Sequence, residues 1–283
     1  MKFGRAFARN SLKRLGNRLS PSVRDMLNYV LSEMEYVPQG WYAIEGWHDP
    51  EIARAQEKHW PILVGNLQGA GPLGVSHLPG DTSREQRAAH NALMSYGYVL
   101  ARAARNKSRI SILDWGGGLG HYYLYSKALL PELEIEYDNY DLPELSRTAR
   151  KLQPDIRVCD SESDFLDKKY DLVLTSSSLH YVEDWRGQLR KLSALTREYL
   201  YVARLQSVVV APSFVALHKV FRDGYPEFLS WCINRDELVT CAEQCGMELM
   251  REFVFVERWT VRGAPEKPES RGFLFRRSAG DAS

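Results

Sequence analysis

Asp114, Gly116, Gly118 and Gly120 stand at alternate positions in the string Leu113-Asp114-Trp115-Gly116-Gly117-Gly118-Leu119-Gly120-His121. Glycine lets a backbone turn tightly and lets a ligand approach with no Cβ in the way. The string follows a short apolar run, Ile110-Ser111-Ile112-Leu113, and precedes a helical pattern. An α/β fold places its ligand at such a junction, and the open N–H groups of the following helix suit an anionic group. The nicotinamide fingerprint GxGxxG does not fit. Counted from Gly116 its last glycine falls on His121, and counted from Gly118 it falls on Tyr123. Asp141 follows Gly120 by 21 residues. In dinucleotide folds an acid about 20 residues on accepts hydrogen bonds from ribose hydroxyls. With no ligand, the same residues would form only a tight strand–helix turn, with Asp141 capping a helix that begins at Pro143.

The pattern acid-x-Gly-x-Gly-x-Gly resembles the first motif of class I S-adenosylmethionine-dependent methyltransferases. Three later strings resemble that family in the same order. Tyr140-Asp141-Leu142-Pro143 is similar to the Asp-Leu-Pro of many O-methyltransferases. Cys159-Asp160-Ser161 stands where the family's acid faces the adenine amino group. Ser176-Ser177-Ser178-Leu179-His180 is similar to the Leu-His stretch beside the transferred methyl. The resemblance implies S-adenosylmethionine as cofactor, held by Asp114, Gly116, Gly117, Gly118, Gly120, Asp141, Leu142, Asp160, Ser161 and Ser177. A carboxylate beside the loop suits this ligand, which carries an ammonium and a sulfonium. The strings at 113–123, 211–215 (Ala-Pro-Ser-Phe-Val) and 231–235 (Trp-Cys-Ile-Asn-Arg) resemble a narrower group of bacterial methyltransferases whose genes lie among surface-polysaccharide genes. The implied acceptor is a small molecule or a glycan, methylated at oxygen. A hydroxyl acceptor benefits from a general base, most often histidine. His180, where the methyl should point, ranks ahead of His121, His90 and His218. Two other functions use a similar fold: a nicotinamide-dependent oxidoreductase or epimerase, and a non-catalytic S-adenosylmethionine-binding scaffold.

These residues need strands and helices to hold them. The apolar run 109–113 and the strand candidates 134–140, 155–159, 170–175 and 199–205 alternate with helical segments over 121–130, 143–152 and 185–195. That alternation predicts a mostly parallel sheet in a Rossmann-like α/β fold. Asn234-Arg235-Asp236-Glu237 predicts a capped helix ending near Gly246, followed by strands over 250–259 and 272–275 that pair antiparallel. Residues 1–105 read as a basic arm and helical cap, and 106–283 as the methyltransferase domain. In the cap, Asp49-Pro50-Glu51 opens a helix that should stop before Pro61. Residues 65–80 read as loop, and Thr82-Ser83-Arg84-Glu85 opens a long helix to about Arg105. The segment 206–233 is too long for a plain connection. Its aromatics, Phe214, Phe221, Tyr225, Phe228 and Trp231, either line an acceptor pocket or pack on the cap.

A net charge of +1 gives no global pull toward nucleic acid, and no arginine cluster adds one. Cys159, Cys232, Cys241 and Cys245 form no CxxC pair, so reduced thiols and no metal site are expected. No apolar run is long enough to span a bilayer and no secretory signal is legible, so a cytoplasmic location is expected. Residues 1–24 carry seven Lys or Arg and no acid, with Phe3, Phe7, Leu12, Leu15 and Leu19 among them. They read either as a solvated arm or as a weak peripheral contact with an anionic membrane face.

Overall fold

The run Arg109–Trp115 is almost wholly buried and forms strand β2 at the centre of the sheet. In a computed structural model of the chain, residues 34–44, 46–48, 50–68, 82–219 and 227–278 are described, without the side chains of 48, 82–87 and 256–258. Parallel to β2 run β3 (Glu134–Tyr140), β4 (Arg157–Cys159), β5 (Tyr170–Ser176) and β6 (Thr196–Val208). The strand β11 (Glu269–Arg277) pairs antiparallel with β6, and β9 (Met247–Arg258) antiparallel with β11. The central order is therefore β4-β3-β2-β5-β6-β11-β9. This is the expected Rossmann-like sheet with its late antiparallel strand.

Helices α1 (Pro50–Gln68), α2 (Thr82–Ala103), α3 (His121–Leu129), α4 (Pro143–Leu152), α5 (Trp185–Leu195) and α6 (Arg235–Glu243) complete the set. One face of the sheet packs Leu113, Val173, Leu200 and Phe273 against Trp185, Leu189 and Leu238. The other packs Ile112, Leu174 and Tyr201 against Tyr96, Val99 and Leu100 of α2. Burial of each such side chain contributes roughly 1.5–3 kcal/mol. The cap at Asn234 is as expected: its side chain accepts from the backbone N–H groups of Asp236 and Glu237 at 2.9 and 3.1 Å. Gly246 adopts a left-handed φ of 70° just past that helix.

Two expectations need correction. The helix that should stop before Pro61 runs on to Gln68, so Gly65 is helical and not loop. Pro61 itself is exposed while Trp60 and Leu63 beside it are buried. Their burial outweighs the loss of about 3 kcal/mol for an interior proline. The N-terminal part is also not purely helical, because Met34–Val37 forms a strand, β1. The insert after β6 is itself strand: β7 (Phe214–His218) and β8 (Phe228–Asn234) pair antiparallel. β1 joins β7, the short β10 (Val261–Arg262) joins β1, and β8 joins the last two residues of β6. A small second sheet thus grows from the end of β6. Phe221, Tyr225, Asp49 and the basic segment 1–24 lie outside the described residues. No helix among the described residues is long and apolar enough to cross a membrane, and the four cysteines are unpaired.

Candidate functional site

The glycine loop leaves β2 and enters α3. Gly116, Gly118 and Gly120 have φ of 72°, 57° and 78°, which explains glycine at alternate positions. Gly117 is required for space: a Cβ there would lie 2.2 Å from Asn139 Oδ1 and 2.5 Å from the Asp114 carboxylate. The N–H groups of Gly116 and Gly117 donate to the Tyr140 carbonyl at 2.8 and 3.2 Å, which ties the loop to the end of β3. There Asp141 closes onto the loop. Its Oδ2 accepts from the Gly118 N–H and its Oδ1 from the Leu142 N–H, both at 2.6 Å. Burial pushes the Asp141 carboxyl up to about 6 despite these two bonds.

Asp114 is fully buried. Its Oδ2 accepts from the Tyr137 hydroxyl at 2.6 Å, and burial, with repulsion from Asp141, pushes it up to about 7. Asn139, brought opposite Asp114 by the β2–β3 register, donates through Nδ2 to the Gly118 carbonyl at 3.1 Å. Asp114 Oδ1 and Asn139 Oδ1 are buried with no hydrogen-bond partner among the described residues. Gln153 fastens the far side of the loop by donating to the carbonyls of Leu119 and Gly120. Sequence reasoning missed Tyr137, Asn139 and Gln153. Tyr137 and Asn139 lie in the buried stretch 137–139 of β3, and Gln153 lies just past α4.

The end of β5 meets the loop from the other side. Ser177 has φ of 57° and its N–H donates to the Ala203 carbonyl at 2.9 Å. Ser178 Oγ donates to the Gly116 carbonyl at 2.9 Å, and Ser176 Oγ and the Tyr122 hydroxyl share a hydrogen bond of 2.8 Å. His180 follows in a single 3₁₀ turn, Leu179–Tyr181. It is 1% exposed, and its Nδ1 has no hydrogen-bond partner among the described residues. Burial pushes it down to about 3, so the ring is neutral at working pH. Tyr181 packs on His180 with centroids 4.1 Å apart. Trp47 packs on Tyr181 at 4.8 Å and on Phe228 at 4.9 Å. Phe228 of the insert thus packs on the cap through Trp47.

The cap also meets the loop directly. Trp60 packs edge-on against His121 at 5.2 Å, and Ala53, Leu63, Leu119 and Leu145 form one cluster. A pocket opens between Trp47, Ile52 and Ala53 of the cap and Leu142, Pro143 and Glu144 at the start of α4. Asp160 and Ser161 are not drawn into this group. The Asp160 carboxylate is ion-paired with Arg150 at 2.8 Å on the surface, and Ser161 caps the 3₁₀ turn Glu162–Asp164.

A family model described as a methyltransferase domain matches residues 85–247, more than half of the chain. The chain belongs to this family. It is an S-adenosylmethionine-dependent methyltransferase. No curated protein sequence matches it. Among solved structures it is similar to a S-adenosylmethionine-dependent methyltransferase from Methanosarcina mazei, with 17% identity, 61% of this chain and 94% of that chain covered, and a TM-score of 0.46. It is also similar to a 1,6-didemethyltoxoflavin-N1-methyltransferase from Burkholderia thailandensis, at 14% identity, 87% and 95% coverage and a TM-score of 0.47. An amino pentose methyltransferase from Micromonospora echinaspora matches at 16% identity, 67% and 91% coverage and a TM-score of 0.44. The methyltransferase's own geometry fits its cofactor. Asp114 Oδ1 and Asn139 Oδ1, acceptors without donors among the described residues, flank the glycine loop, as suits a ligand bearing an ammonium.

Proposed function

We propose that this methyltransferase modifies a hydroxyl of a small-molecule or glycan acceptor. The observation that carries the reading is His180: a buried, neutral imidazole at the end of β5, with an unpartnered Nδ1 and an aromatic wall of Trp47, Tyr181 and Phe228 beside it. Apolar walls of this kind exclude water and position an acceptor. The similarity of the strings at 211–215 and 231–235 to methyltransferases encoded among surface-polysaccharide genes supports a glycan.

The cofactor supplies an activated methyl on a sulfonium. The chain's residues divide the remaining work. The loop from Gly116 to Gly120 and the N-terminus of α3 receive the methionine end, and Asp114 gives that end a negative field. Asp141 accepts the ribose hydroxyls and Leu142 packs beside them. Asp160 and Ser161 serve the adenine edge, which requires Asp160 to leave Arg150, and Ser177, turned by its left-handed φ at the end of β5, meets the cofactor from the other side. His180 accepts the acceptor's O–H and fixes its direction. A ring pushed so low is a weak base, so alignment contributes more than proton removal.

Incubation with methyl-labelled cofactor and a panel of nucleotide sugars and surface glycans, followed by mass spectrometry of the products, tests the reading. The expected product is an O-methyl ether. Label found solely on nitrogen or carbon would overturn the oxygen assignment.

A further inference from the structure

Gln56 sits on the buried face of α1, in line with Ala53 and Trp60. An apolar residue would pack there without cost, yet the position holds an amide that is 8% exposed. Its Oε1 is buried with no hydrogen-bond partner among the described residues. That oxygen lies 3.2 Å from where a Cβ on Gly118 would stand, so it faces the glycine loop at contact distance. The loop cannot satisfy it. The Gly118 N–H is already given to Asp141, and the Gly118 carbonyl already accepts from Asn139. Nor can the helix swing the amide toward water, since Trp60 on His121 and the cluster of Ala53, Leu63, Leu119 and Leu145 fix α1 against α3 and α4.

A buried acceptor with no donor among the described residues, held against a ligand-binding loop, calls for a donor from the ligand. We propose that Gln56 accepts a hydrogen bond from the α-ammonium of the cofactor's methionine end. The cap helix, which lies outside the matched family segment of 85–247, thereby completes the cofactor site. The inference rests on the reading that the glycine loop holds S-adenosylmethionine, and it adds a residue that no glycine or acid motif announces. Gln56 is a binding residue here and takes no part in the methyl transfer.

Two ligands separate the possibilities. S-adenosylhomocysteine carries the ammonium and carboxylate; 5′-methylthioadenosine keeps the adenosine and lacks both. Titration calorimetry of the full chain measures each against wild type, Gln56→Leu and Gln56→Glu. Leucine nearly matches glutamine in volume and suits the apolar face, and a melting curve checks that the variant is folded. Gln56→Leu is expected to weaken S-adenosylhomocysteine about ten- to a hundredfold, the size of a lost hydrogen bond to a charged group. It should leave 5′-methylthioadenosine within about twofold. Gln56→Glu, which keeps an acceptor, should restore the first ligand. Equal affinities in wild type and Gln56→Leu, or the same loss for both ligands, would overturn the proposal. If wild type bound neither ligand, the cofactor reading of the loop would itself fall, an outcome distinct from the first two.

Discussion

Replacing Asp141 by alanine should separate ligand binding from folding, because the two effects have different sizes at neutral pH. The carboxylate accepts two short backbone bonds, from Gly118 and Leu142, and would also accept the ribose hydroxyls. Hydrogen bonds to a charged acceptor contribute about 1.5–3 kcal/mol, so losing the ribose contact should weaken S-adenosylhomocysteine about 10- to 150-fold. Stability behaves otherwise. Burial raises Asp141 from 3.8 to about 6, so the charged form costs the fold up to about 3 kcal/mol above pH 6. A carboxyl whose folded value is raised stabilises most when both states are protonated. That contribution is lost as pH rises from about 4 through about 6, and is constant above. Asp141→Ala gives up the two backbone bonds and removes this cost, so its stability at pH 7.5 should lie within about 1 kcal/mol of wild type. At pH 4.5 it should be clearly the less stable of the two. Calorimetric titration at pH 7.5 and urea unfolding at both pH values measure these quantities. Wild-type affinity in Asp141→Ala, or a loss of stability at pH 7.5 larger than at pH 4.5, would refute the reasoning.

His180→Ala should lower turnover by about 100-fold, the small end of general-base effects, with cofactor affinity unchanged. Because His180 is held near 3, the wild-type rate should show no acidic limb near pH 6.5 from this ring. A few-fold loss in turnover, or a limb at 6.5 that His180→Ala removes, would contradict the placement. Gly117→Ala would put a methyl 2.2 Å from Asn139 Oδ1 and against the Asp114 carboxylate, so denaturant melts should give about 1–3 kcal/mol of destabilisation. A neutral variant would mean that the loop moves freely away from β3. Full-length protein should pellet with anionic but not neutral vesicles at low salt, and a chain starting at Asp25 should not. Identical sedimentation of both chains would remove the membrane contact and leave the enzyme's chemistry untouched.

The strand β2 was legible because its short apolar run ends in an acid and a glycine cluster, and β3 and α4 run over the very residues the pattern marked. Asp114, Asp141 and the glycines were legible for a different reason: their roles depend on spacing along one chain. What stayed hidden depends on register or on distant segments. Nothing local shows that Asn139 rather than Asp138 turns toward Asp114; the β2–β3 pairing decides it. Met34–Val37 is too short to announce itself and is a strand because Val215–His218 and Val261–Arg262 lie on either side of it. Pro61 misled because its local cost is real, and the burial of Trp60 and Leu63 that outweighs it appears only in the fold. Gln56, which faces Gly118, and Trp47, which packs on Tyr181, come from a cap whose sequence marks neither of them.

Thermal unfolding with and without cofactors tests the central claim most directly. Ligand at a hundredfold excess over its dissociation constant stabilises the native state by about 2.7 kcal/mol, which raises Tm by several degrees in a chain of this size. S-adenosylhomocysteine should produce that rise, and NAD at the same concentration should produce none. A rise with NAD alone would contradict the assignment of the Asp114–Gly120 loop to S-adenosylmethionine.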